Sequence, residues 1–211
     1  MKPDESVQKA LLDDFDVSRE TLEKLEAFAE LLVKWNQKIN LVSPATIPDL
    51  WTRHILDSVQ VLQLLPPEMS SFCDIGSGGG LPGLVLAIVA SEKYAEMNVT
   101  MIEADQRKCA FLRTVSGQLA LGVDVRAERI ETAVPSDAQV VSARALAPLP
   151  KLVGLVSRHL SDGGRAFLMK GANVDAEIEV ALASWQFDLQ KHASKTNAEA
   201  CILDISNIRP R

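Results

Sequence analysis

The stretch Phe72-Cys73-Asp74-Ile75-Gly76-Ser77-Gly78-Gly79-Gly80-Leu81-Pro82-Gly83 decides how the rest of this chain is read. An apolar strand runs into an acid, turns through glycines and enters an apolar helix. Such a turn presents bare backbone N–H groups and a helix start to a ligand. Its spacing, G-x-G-x-G, differs from the dinucleotide fingerprint G-x-G-x-x-G. No Lys-Ser/Thr pair follows the glycines, so it is not a P-loop. Asp74 precedes the first glycine, where a phosphate would be repelled. An acid there suits a ligand with positive charge or donors: an amino acid, or the methionine part of S-adenosylmethionine.

Outward from this turn the chain alternates. Strands are expected at 72–75, 99–103, 123–127, 140–143 and 165–169, and helices at 81–91, 106–119, 149–159 and 173–183. Two further strands, near 185–191 and 201–208, are close enough to pair as a hairpin. Strands alternating with helices give right-handed crossovers and a mostly parallel sheet. A terminal hairpin then inserts one antiparallel strand. This is α/β architecture with the seven-stranded, Rossmann-like layout of class I S-adenosylmethionine-dependent methyltransferases.

Residues 1–67 read as all-helical. A short helix is expected at 4–14 and a longer one is capped by Ser18. In the latter, Leu22, Leu25, Ala29, Leu32, Trp35 and Ile39 recur at helical spacing. A third is expected from Thr46, with Pro48 in its first turn, to Pro66-Pro67. With no linker, this segment is expected to be a cap on the 68–211 α/β core within a single domain, 1–211.

The chain has 211 residues, 47% of them hydrophobic and 24% charged, enough for one domain with a sizeable core. No apolar run reaches a membrane span, and the acidic N-terminus lacks a signal-peptide core, so a cytoplasmic location is expected. Cys73, Cys109 and Cys201 are widely separated in apolar contexts and read as buried thiols. With His54, His159 and His192 equally scattered, no metal site is expected. Nothing calls for a dimer. The net charge of −6 argues against broad nucleic-acid binding but allows a local basic patch.

Glu103 ends the second core strand, 23 residues beyond Gly80. An acid there accepts hydrogen bonds from both ribose hydroxyls of an adenosine. Asp105 beside it reads as a helix cap. The segment 127–131 follows the third strand, where an adenine edge would lie.

Several segments together resemble the bacterial 16S ribosomal RNA (guanine-N7) methyltransferase family, also called glucose-inhibited division protein B. They are Trp35-Asn36 with Asn40-Leu41; Arg53-His54-Ile55-Leu56-Asp57-Ser58; the glycine turn through Leu81-Pro82-Gly83; Glu103 with Lys108 and Phe111-Leu112; Arg129-Ile130-Glu131; Ser142-Ala143-Arg144-Ala145 with Pro148-Leu149; and Lys170-Gly171. The resemblance implies S-adenosylmethionine as cofactor, S-adenosylhomocysteine as product, and 16S rRNA of the small ribosomal subunit as partner. The product base would be 7-methylguanosine. It implies cofactor contacts from Gly76, Gly78, Leu81, Glu103, Ile130, Glu131 and Arg144. Gly79 stands where the family has proline or alanine, which should loosen the turn.

Guanine N7 carries a lone pair and no proton, so no general base is needed. That fits a chain without a base dyad or nucleophile motif. Arg144, at the end of the fourth strand, is the candidate positioning residue in catalysis, donating to guanine O6 or to a phosphate. The alternative is a structural salt bridge to Asp74 or Glu131. Arg53, His54, Arg129 and Lys170 are candidate RNA contacts. Against this, Arg53 and Asp57 also read as a helix-face ion pair, His54 as a satisfied half-buried histidine, and Lys170 as a solvated lysine. Asn40 reads either as part of the pocket rim or as a helix C-cap. Arg53, Arg129, Arg144, Lys151, Arg158 and Lys170 are expected along one rim. A methyltransferase of another substrate, small molecule or protein, would lack this basic rim. A non-catalytic cofactor-binding regulator would have its mouth blocked by the N-terminal helices.

Overall fold

The protein is described by a computed structural model covering residues 1–94 and 96–211. Its centre is a seven-stranded sheet of β1 (Ser71–Ile75), β2 (Asn98–Ile102), β3 (Asp124–Arg126), β4 (Ala138–Arg144), β5 (Leu160–Lys170), β6 (Trp185–Ala193) and β7 (Cys201–Pro210). The order across the sheet is β3-β2-β1-β4-β5-β7-β6. Pairing is parallel from β3 to β5, and β7 runs antiparallel to both β5 and β6. The expected inserted antiparallel strand is therefore β7. All residues of β1 after Ser71 are buried, as a central parallel strand covered on both faces requires.

Helices cover both faces. On one lie α4 (Gly83–Ala90) and α5 (Gln106–Gln118), and on the other α6 (Leu149–His159) and α7 (Val174–Leu182). Every residue of α4 is buried, which explains why it is apolar all round. Asp105 caps α5, accepting from the N–H groups of Arg107 and Lys108.

The N-terminal segment packs on the α4–α5 face. It holds α1 (Glu5–Lys9), continued by a π-helical turn over Ala10–Asp14, and α2 (Arg19–Asn36), capped by Ser18 as expected. The third helix starts later than Thr46. Pro44–Thr46 forms a 3-10 turn, and Asp49 and Leu50 donate to the carbonyls three residues before them. Pro48 has no N–H to continue a helix from that turn. The helix then runs π-helical over Trp51–Leu56, through α3 (Asp57–Val59), to a 3-10 end at Gln60–Leu64. Phe111 of α5 meets Phe28 and Trp35 of α2 with ring centroids 6.4 and 5.7 Å away. Leu25, Leu32, Ile55, Leu84 and Phe111 thus belong to one apolar cluster.

Asp74 lies beneath this arrangement. The residue is 1% exposed; Oδ1 accepts from Ser142 Oγ, and among the described residues Oδ2 has no hydrogen-bond partner. Oδ2 sits under Gly83, where a Cβ would come within 2.6 Å of it. The acid expected to meet a ligand instead supports the first turn of α4. Burial raises its pKa from 3.8 to about 7, with the Glu103 charge adding to the effect.

Two outcomes follow. Phe111→Ala is expected to cost about 3–5 kcal/mol in urea unfolding, with wild type unfolding in one transition because cap and core share a cluster. Two separate transitions would show an independent N-terminal unit. Between pH 4 and 7 folded Asp74 keeps a proton that the unfolded chain has lost, so its contribution to stability falls as pH rises. Melting at stepped pH should show Asp74→Asn gaining on wild type across that window and levelling off above it.

Candidate functional site

The carboxyl ends of β1, β2 and β4 meet where the strand order reverses, between β1 and β4, and open α/β sheets bind ligands there. The turn after β1 is fixed by N–H bonds from Gly76 and Ser77 to the Ile102 carbonyl. Gly78 has φ +54, a conformation that favours glycine. Its N–H donates to Glu103 Oε2 at 2.9 Å, and Asp105 N–H donates to Oε1 at 2.8 Å. Each carboxylate oxygen keeps a further lone pair, so Glu103 is oriented without being saturated.

A cavity of about 580 Å³ opens at this edge. Gly76, Gly78, Leu81, Glu103, Ile130, Glu131 and Arg144 all line it. Ile102, Ile130 and Leu155 give it an apolar side; Lys108, Arg129, Glu131 and Lys151 give it a charged one. Glu131 lies 3.5 Å from both Arg129 and Lys151.

The N-terminal segment supplies a further wall, through Leu41, Val42, Ser43 and His54. Asn36 Oδ1 pins this wall, accepting from Leu41 and Val42 N–H at 2.9 and 3.0 Å. The role weighed for Asn40 thus falls to Asn36, and Asn40 is exposed. Gly79 packs on Leu41, whose carbonyl would lie 3.2 Å from an added Cβ. The turn is therefore braced from outside at this glycine.

Arg144 is the joint between segment and core. Its Nη2 donates to the Arg53 carbonyl at 2.8 Å and to His54 Nδ1 at 3.1 Å, and it lies 3.5 Å from Asp57 Oδ2. The ion pair is therefore with Asp57, not Asp74 or Glu131, and Asp57 is not spent on Arg53. Arg144 only donates, so His54 Nδ1 accepts and Nε2–H donates to Thr46 Oγ1 at 2.7 Å. Burial, reinforced by Arg144 and Arg53, lowers the His54 pKa to about 4, so the ring is neutral at pH 7. Immediately after Arg144, Ala145 has φ +51, a strained value for a residue with a Cβ.

A second cavity, also about 580 Å³, shares Arg144 and Ala145 as its wall with the first. Arg53 and Lys170 line it. The Lys170 ammonium is turned inward: it pairs with Glu177 at 2.6 Å and donates to the Ala147 carbonyl at 3.1 Å. It is a tether rather than the solvated lysine of one reading. Arg158 donates to the Ala133 carbonyl and lines neither cavity, so it falls outside the expected basic rim. Lys108 joins that rim. Leu41–Ser43 and Ala145–Ala147 were not expected as walls: Leu41 and Ala145 entered only through the family resemblance, and stretches of three residues carry no periodic signal.

Among the described residues no helix is long and apolar enough to cross a membrane, and no cluster of metal-ligating side chains occurs. The three cysteines are free and buried.

Solved structures of similar fold include a methyltransferase described as SAM-dependent from Aquifex aeolicus. It is 13% identical, with TM-score 0.56, over 84% of this chain and 96% of that one. The P. horikoshii protein TYW2 in complex with MeSAdo gives TM-score 0.58 at 14% identity, over 80% of this chain and 64% of that one. Among sequences, the Ribosomal RNA small subunit methyltransferase G of Ruegeria sp. (strain TM1040) is 49% identical over 92% of this chain and 95% of its own. That of Bartonella tribocorum is 46% identical over 97% of each. Residues 21–203 match the GidB family model, described as rRNA small subunit methyltransferase G. The chain carries the S-adenosylmethionine-dependent methyltransferase fold and belongs to the rRNA small subunit methyltransferase G (GidB) family.

Proposed function

We propose that this protein transfers a methyl group from S-adenosylmethionine to N7 of one guanine in 16S rRNA of the small ribosomal subunit, acting as a cytoplasmic monomer. The observation that carries the reading is the first cavity: a glycine turn and an incompletely saturated Glu103 carboxylate at the switch point of the sheet.

The residues present suit the cofactor. The free lone pairs of Glu103 match a ribose diol. Ile102, Ile130 and Leu155 offer an apolar slot for a flat base, and Gly78 leaves the backbone bare beside it. The cavity lies within the usual range for a small-molecule site, about 300–1,000 Å³. S-adenosylmethionine supplies the activated methyl group.

The protein's own part is positioning and field. N7 needs no deprotonation, and His54, neutral and bonded at both nitrogens, is not asked to act as a base. Held from three sides, Arg144 sets a fixed positive group at the cavity edge, and fixed groups cost no reorganisation during reaction. Arg129, Lys108 and Lys151 rim the first cavity and Arg53 the second. This local positive surface on a chain of net charge −6 supports a structured RNA loop as substrate. The N-terminal segment walls the first cavity without filling it, which supports an enzyme over a blocked sensor. N7 in an A-form duplex faces a deep, narrow groove, so the target guanine sits in a loop or is flipped out.

Labelled S-adenosylmethionine incubated with small subunits from cells lacking this protein should give label at guanine N7. No label there, with cofactor binding intact by calorimetry, would count against the reading. Gly78→Val places a branched side chain at φ +54 beside Glu103 and should lower S-adenosylhomocysteine affinity by about tenfold or more. Unchanged affinity would show that the cofactor lies elsewhere.

A further inference from the structure

We propose that the second cavity receives the target guanine, with its N1–H and N2–H₂ edge toward Asp57 and its N7 toward the first cavity. This rests on the methyl-transfer reading above.

The two oxygens of Asp57 are used unequally. Oδ1 accepts from Gln60 Nε2 at 2.8 Å, Thr196 Oγ1 at 2.6 Å and Ser194 Oγ at 3.3 Å. It thereby fastens the β6–β7 loop to the third helix. Among the described residues Oδ2 has no hydrogen bond, only the ion pair with Arg144 at 3.5 Å. Asp57 lines the second cavity, so an acceptor with open lone pairs stands in its wall. Arg144 lines the wall common to both cavities; its Nη1 is buried and has no hydrogen-bond partner among the described residues.

This set matches guanine and mismatches adenine. Guanine carries donors at N1 and N2 on one edge and acceptors at O6 and N7 on the other. With the donor edge at Asp57, O6 falls toward the shared wall and Arg144, and N7 points past it into the first cavity. Adenine would set the lone pair of its N1 against the carboxylate. Recognition through buried polar groups rejects an analogue that leaves them unpaired.

The test uses an rRNA fragment that the wild-type protein methylates, remade with inosine at the methylated position. Inosine keeps N7, O6 and N1–H but lacks the N2 amino group. Wild type is expected to favour guanine over inosine by about tenfold or more in kcat/KM. In Asp57→Asn the side-chain oxygen can still hold Ser194 and Thr196, while the amide opposes the base donors. That variant should lose most of the guanine preference, its ratio falling toward one. A merely structural Asp57 would slow both substrates together and leave the ratio intact, which overturns the proposal. Equal wild-type rates for guanine and inosine also overturn it. Absence of N7 transfer from wild type to the guanine fragment and to small subunits alike would instead sink the methyl-transfer reading beneath it.

Discussion

A half-buried guanidinium holds this molecule's working edge together. Arg144 ends a core strand, yet its guanidinium reaches back to the N-terminal segment: the Arg53 carbonyl, the His54 ring, and Asp57 as counter-charge. A charge taken out of water must be paired and hydrogen-bonded or it is costly to bury. The segment from Thr46 to Gln60 therefore has to sit against the end of β4, and both cavities form on either side of that joint. The neutral state of His54 belongs to the same constraint, because burial first, and then the two facing arginines, disfavour a charged ring.

The glycine turn depends on a second tether. Glu103 takes one N–H from the turn and one from the start of α5, so a single side chain registers the ends of β1 and β2. Below it, Asp74 is buried under α4 with one oxygen left without a hydrogen bond among the described residues, a cost borne where the loop must keep its shape. The turn, although rich in glycine, is braced from outside, since Gly79 packs on Leu41 and Asn36 holds Leu41. Cap and core thus specify one another's loops.

Much of the site was legible from residue pattern. Gly76, Gly78 and Glu103 stood out by their place at strand ends, which a parallel sheet gathers along one edge, while Leu81, Ile130, Glu131 and Arg144 entered as cofactor contacts through the family resemblance; all seven line the first cavity. Partner choice was not legible. Arg53 and Asp57 have helix spacing, but Asp57 turns to Arg144 and to Thr196, 139 positions away. Lys170 looked free and is bound to Glu177 and Ala147. The late start of the third helix was missed because the local turn at Pro44–Thr46 resembles a helix beginning.

Periodicity, glycine spacing and strand-end acids by themselves determined the α/β architecture, the inserted antiparallel strand and the place of the first cavity. These are local or nearest-neighbour properties, written in side-chain period and backbone freedom. Tertiary structure alone decided that the N-terminal helices wall the site, that Asp74 faces inward, and that Asp57 keeps one oxygen open beside a second cavity. Those outcomes depend on which charges and carbonyls from distant segments desolvate together, and no spacing along the chain encodes that competition.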